Sequence, residues 1–69
     1  MYTQQQIDDV RAFLEENKGE WVGEPDIPSL PPDEDGSSLI YEVNAIAEAA
    51  DMPLRMEEHG YGKFFVTEA

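Results

Sequence analysis

Pro25, Pro28, Pro31 and Pro32 fall within eight positions of a 69-residue chain, and no other feature restricts its fold as much. Each proline removes a backbone donor and turns the preceding residue away from helix. Residues 19–36, which also hold three glycines and the acidic run Asp33–Glu34–Asp35, are therefore expected to form an extended, irregular connection. Helices are confined to the segments on either side. A connection this long in so small a chain has a function or is held down by its own apolar side chains. Trp21, Val22, Ile27 and Leu30 are the candidate anchors, and Trp21 and Val22 also suit a short strand.

The segment before the connection has helical spacing. Ile7, Val10, Phe13 and Leu14 make one apolar stripe, and Thr3 followed by Gln6 fits a capping box. Asp8 and Asp9 lie towards the positive end of the helix dipole, while Lys18 and Gly19 supply a stop. These signals predict a helix over 4–17. After the connection, Ser37 or Ser38 is placed to cap a second helix over 38–50. Its apolar face is Leu39, Ile40, Val43, Ile46, Ala47 and Ala50, and Asp51 and Pro53 end it. Ala47 and Ala50 are small enough to allow close packing.

The period then changes to two. Leu54, Met56 and Glu58 alternate with Arg55, Glu57 and His59. Gly60–Tyr61–Gly62 makes a three-residue turn, and Lys63–Phe64–Phe65–Val66–Thr67 suits a strand, giving a hairpin over 54–67. The order predicts one small α+β domain over 1–69, with two helices packed on a small antiparallel sheet that ends in a C-terminal β-hairpin. The expected core is Ile7, Val10, Phe13, Leu14, Trp21, Leu39, Val43, Ile46, Leu54, Phe64 and Val66.

Composition bounds the function. With 4 basic and 16 acidic residues the formal net charge is −12. Conventional nucleic-acid binding is disfavoured, because lysine and arginine contacts to phosphate supply most of that affinity. There is no cysteine, hence no disulfide and no thiolate chemistry. No apolar run is long enough for a membrane span, and no signal peptide is recognisable, so a cytoplasmic setting is expected.

Candidate chemical sites give way to simpler readings. Asp33, Asp35, Gly36 and Glu42 match part of a calcium loop, but Pro31 would occupy the first ligand position. His59, the sole histidine, lacks the company that zinc or a general base requires, and is expected at the surface beside the turn. The pairs Asp8–Asp9, Glu15–Glu16 and Glu57–Glu58 have no cleft in which to hold a sugar. No enzyme activity, metal or cofactor is expected. A winged-helix-like alternative would use Pro53–His59 as a recognition helix, with Glu57 and Glu58 facing the phosphates.

From Leu30 to Thr67 the chain resembles the Arg-x-x-x-His family of single-stranded nucleic-acid-binding domains. Leu30–Pro31–Pro32 corresponds to the family's proline-containing lead and Ala47 to its helical alanine. Asp51–Met52 corresponds to its turn, and Gly60–Tyr61–Gly62–Lys63–Phe64–Phe65–Val66 to its closing glycine loop and strand. The resemblance implies an α+β fold. It does not carry the family's activity across, because the arginine and histidine positions hold Ile40 and Asn44.

The expected function is that of an acidic interaction protein docking on a basic, nucleic-acid-handling protein, without binding nucleic acid itself. Small DNA-mimic inhibitors of phages and mobile elements, including anti-restriction and anti-CRISPR proteins, are similar in size and charge. The candidate binding carboxylates are Asp33, Glu34, Asp35, Asp8, Asp9, Glu15, Glu16, Glu42 and Glu48. The alternative is a single-stranded nucleic-acid-binding module, of the Arg-x-x-x-His or winged-helix-like type, from a salt-adapted (halophilic) cell.

Overall fold

A computed structural model describes residues 2–23, 25–30, 39–60 and 62–68. These form α1 (Gln4–Glu16), β1 (Trp21–Val22), α2 (Ile40–Ala49), β2 (Leu54–Glu58) and β3 (Phe64–Glu68). The strands make an antiparallel sheet in the order β1-β3-β2. The fold is α+β, as the change of period predicts.

The capping box of α1 is closed on both sides. The Thr3 hydroxyl accepts from the Gln6 amide at 3.1 Å, and the Gln6 side chain accepts from the Thr3 amide at 2.9 Å. Asp8 and Asp9, expected to meet the helix dipole, lie beyond the first turn, where the dipole has largely faded. Their carboxylates instead accept from the Gln4 and Gln5 side-chain amides at 2.9 and 2.8 Å. The helix stops one residue earlier than predicted because Asn17 turns back. Its backbone N–H and its Nδ2 both donate to the Phe13 carbonyl, at 3.1 and 2.8 Å. Gly19, at φ +76°, then redirects the chain and donates its N–H to Val66 O at 2.8 Å. A side chain at that φ would be strained, so this glycine sets the entry into β1.

In the connection, Pro25, Ile27 and Leu30 are buried, and the Gln6 amide donates to Ser29 O at 3.3 Å, tying the segment to α1. Ser37, Ser38, Asp33, Glu34 and Asp35 lie outside the described residues, as does Tyr61 of the hairpin turn. The second helix begins at Ile40, two residues later than predicted, behind Leu39, whose side chain makes no capping bond. Its C-terminus is a Schellman motif. Asp51 N–H donates to Glu48 O at 3.1 Å, Met52 N–H donates to Ala47 O at 2.8 Å, and Asp51 takes the left-handed conformation at φ +59°. Met52 supplies the hydrophobic contact that accompanies such a motif, being buried.

The hairpin forms where the two-residue period predicts it. Met56 pairs with Val66 and Glu58 with Phe64, and His59 N–H donates to Lys63 O at 2.9 Å across the glycine turn. Residues 54–58 are strand, which overturns the winged-helix-like alternative: two apolar side chains at spacing two, Leu54 and Met56, both reach the core.

Both helices pack on one face of the sheet. The core joins Val10 and Leu14 of α1 to Ile40, Val43, Ile46 and Ala47 of α2, and to Leu54, Met56, Phe64 and Val66 of the strands. Ile27, Leu30 and Met52 close its ends. Ile7, Phe13 and Leu39, expected inside, are partly buried against it. Trp21 is a correction: it was expected in the core and is 58% exposed. Its strand partner is Phe65, and the alternation that sends Phe64 and Val66 inward sends Phe65 and Trp21 to the opposite sheet face.

Asn44 fills a structural role that its sequence context does not announce. Its Nδ2 donates to Met56 O at 2.9 Å, and its Oδ1 accepts from Met56 N–H at 2.8 Å. With His59 bonded to Lys63, the antiparallel alternation leaves the Met56 amide and carbonyl pointing away from β3. The carboxamide thus covers the free edge of β2 with a matched donor and acceptor.

Candidate interaction surfaces

No Asp, Glu, Lys or Arg among the described residues is buried. Of the carboxylates singled out from the sequence, Asp8, Glu15, Glu16, Glu42 and Glu48 are exposed and Asp9 is half-buried. The α-helical repeat aligns Asp8 with Glu15, and Asp9 with Glu16, along the outer side of α1. Glu42 and Glu48 point about 120° apart on α2 by the same geometry. These side chains clothe the helix layer and do not converge. Among the described residues no group of three or more His, Asp or Glu could hold a metal ion. The calcium reading of Asp33 and Asp35 falls outside the described residues, and Glu42 belongs to the first turn of α2.

The cations are largely engaged within the chain. Arg11 approaches Asp8 at 3.5 Å, and Lys18 meets Glu68 at 3.0 Å, both in exposed pairs that contribute little stability. Arg55 Nη1 donates to the carbonyls of Met52 and Leu54 at 2.6 and 2.7 Å. The Lys63 ammonium has no ion-pair partner among the described residues. Helix side chains therefore present carboxylates with little cationic compensation.

The other sheet face has a different chemistry. Trp21, Phe65 and Glu57 stand in one row across β1, β3 and β2. Trp21 and Phe65 rings lie 5.1 Å apart and tilted by 58°. His59 leads edge-on to Trp21 with centroids 4.9 Å apart, and its Nε2 is 3.4 Å from Glu57 Oε2. Beside this row an open cleft of about 430 Å³ is lined by Trp21, Val22, Gly23, Gly62 and Lys63. His59 is exposed beside the turn. The aromatic row was missed from sequence because it depends on which strand pairs with β1. The only signal was the parity of Phe65 against Phe64 and Val66.

Ile40 and Asn44, which stand at the family's arginine and histidine positions in the Arg-x-x-x-His resemblance, have structural work here. Ile40 is 4% exposed in the core, and Asn44 is spent on the Met56 backbone. No protein-family model matches the chain, and neither a curated protein nor a solved structure matches it. No helix among the described residues is long and apolar enough to cross a membrane.

Proposed function

We propose that this chain is a non-enzymatic acidic interaction protein that docks on a basic protein surface, in a cytoplasmic setting and of the DNA-mimic type. The observation that carries the reading is the carboxylate cover of the helix layer, in which, among the described residues, only Asp8 has a cationic partner, Arg11. Asp8, Asp9, Glu15, Glu16, Glu42 and Glu48 all lie outside the core, while Arg11, Lys18 and Arg55 are engaged within the chain. A net charge of −12 steers a cationic partner towards this side, accelerating encounter and making the complex salt-sensitive. The acidic run Asp33–Glu34–Asp35 supplies part of that net charge. A nucleic-acid-handling protein is the natural partner class, since its own surface is built to receive a polyanion.

The test is a titration at low salt with fluorescently labelled nona-arginine and nona-lysine peptides, and with labelled single- and double-stranded oligonucleotides. Both peptides are expected to bind, with affinity falling as NaCl is raised, and the oligonucleotides are expected not to. Micromolar or tighter oligonucleotide binding, or no binding of either peptide, overturns the proposal.

A second reading has one observation in its favour. Trp21 and Phe65 share the outer sheet face with Arg55 and Lys63, and aromatic rings with cations are what single-stranded nucleic acid uses for stacking and backbone contact. It ranks second because Arg55 is tied to two carbonyls, leaving one lysine for phosphate. A salt-adapted protein of this kind would gain helix and bind oligonucleotides as NaCl rises.

A further inference from the structure

Tryptophan exposed to 58% on the open face of a sheet is costly surface to leave in water, and Trp21 contributes little to the core that would justify it. Tryptophans in such positions are enriched among the few residues that dominate protein–protein affinity. Three occupants can be compared by charge. A second copy would bring another −12 and is repelled. A single nucleic-acid strand needs a track of cations beside the rings, and the row offers Glu57 at one end, with Arg55 bound to backbone carbonyls. A cationic protein segment is attracted by the whole molecule. At this face it finds an indole and, across Phe65, a carboxylate.

We infer that the Trp21–Phe65–Glu57 row is the docking site for an arginine of the basic partner, whose guanidinium lies on the indole and whose N–H groups reach the Glu57 carboxylate. This rests on the proposed function and adds a localised contact to its diffuse attraction. Arginine fits better than lysine because its planar, weakly hydrated head both stacks on an aromatic face and donates in a fork. Indole is the best of the natural rings for such a contact. Among the described residues, the charged groups on this face are Glu57, His59, Lys63 and Arg55, the last with its guanidinium bound to the Met52 and Leu54 carbonyls. Glu57 attracts the guanidinium, Lys63 lines the adjoining cleft, and His59 already leans on both Trp21 and Glu57.

Trp21 is the sole tryptophan, so its emission reports this site alone. The experiment compares nona-arginine with nona-lysine on the full chain, reading peptide anisotropy and tryptophan emission together, for the parent, Trp21→Leu and Glu57→Gln. Nona-arginine is expected to change the emission and to bind more tightly than nona-lysine. Trp21→Leu should weaken nona-arginine binding by about 5- to 30-fold and erase its preference over nona-lysine, and Glu57→Gln should weaken it by a smaller factor. If Trp21→Leu loses its helical circular dichroism, the parent's emission change and arginine preference decide the matter alone. Equal binding of the two peptides with unchanged emission overturns this inference and leaves the acidic-docking proposal standing. Binding of neither peptide overturns both. Quenching of Trp21 by a thymidine oligonucleotide, with no response to nona-arginine, overturns both in favour of nucleic acid.

Discussion

Asn44→Ala is the most informative single change in this molecule. The carboxamide makes two bonds to one residue of the β2 edge, at 2.9 and 2.8 Å to Met56 O and N. A net value of about 1 kcal/mol per bond puts the loss at about 2 kcal/mol. Alanine returns part of this, because Asn44 sits inside α2 and alanine is the better helix former by about 0.6 kcal/mol. The balance is a destabilisation of about 1.4 kcal/mol. In a domain of this size, 1 kcal/mol corresponds to about 4–8 °C in Tm, so a fall of about 6–11 °C is expected. Asn44→Asp separates the two terms. It keeps an acceptor for the Met56 amide, sets an anionic oxygen against the Met56 carbonyl, and gains little helix propensity, so near neutral pH it should melt no higher than the alanine variant. Thermal melts followed by circular dichroism measure the difference, and hydrogen exchange locates it, with the Met56 amide losing protection first. An alanine variant that melts within about 2 °C of the parent, with Met56 exchange unchanged, would refute the claim that this side chain holds the helix to the strand.

Ile46 is wholly buried between helix and sheet, and Ile46→Ala should cost roughly 2–5 kcal/mol, enough to unfold much of the population at 37 °C by circular dichroism. Thr3→Ala removes the hydroxyl that accepts from the Gln6 amide, while the backbone N–H bond to the Gln6 side chain can persist, and should cost about 0.5–2 kcal/mol, read as faster amide exchange in the first turn of α1. Asp51→Gly relieves a left-handed backbone at φ +59° and removes one carboxylate, so its Tm should rise by a few degrees despite the added freedom of the unfolded chain. Raising NaCl should increase the Tm of the parent, because screening weakens repulsion among the exposed carboxylates; a flat or falling dependence would show that this repulsion is unimportant to the fold.

Local patterning made most of the architecture legible. The stripe through Val10 and Leu14, the alanine-bearing face of α2 and the two-residue period at Leu54 and Met56 each name an element and its buried side. The glycine turn brings His59 opposite Lys63 as its length requires. Long-range partners were not legible. Trp21 has the composition of a core residue, and only pairing with Phe65 turns it outward. Asn44 looks like a solvated helix residue until β2 is laid beside it. The acidic candidates were easy to find, and those among the described residues do not converge, because carboxylates avoid burial individually and no local rule gathers them.

The two margins of the sheet are unequal. On one side β2 meets the carboxamide of Asn44, while β1, only two residues long, forms the other. Strand addition by a neighbouring copy is therefore directional. Among the described residues, β1-to-β1 joining is the pairing the margins favour, and it would leave at each outer margin a β2 strand whose Met56 amide and carbonyl are already taken by Asn44. Growth into a fibre would need repeated head-to-tail joining, and one side chain on α2 denies it the second attachment point.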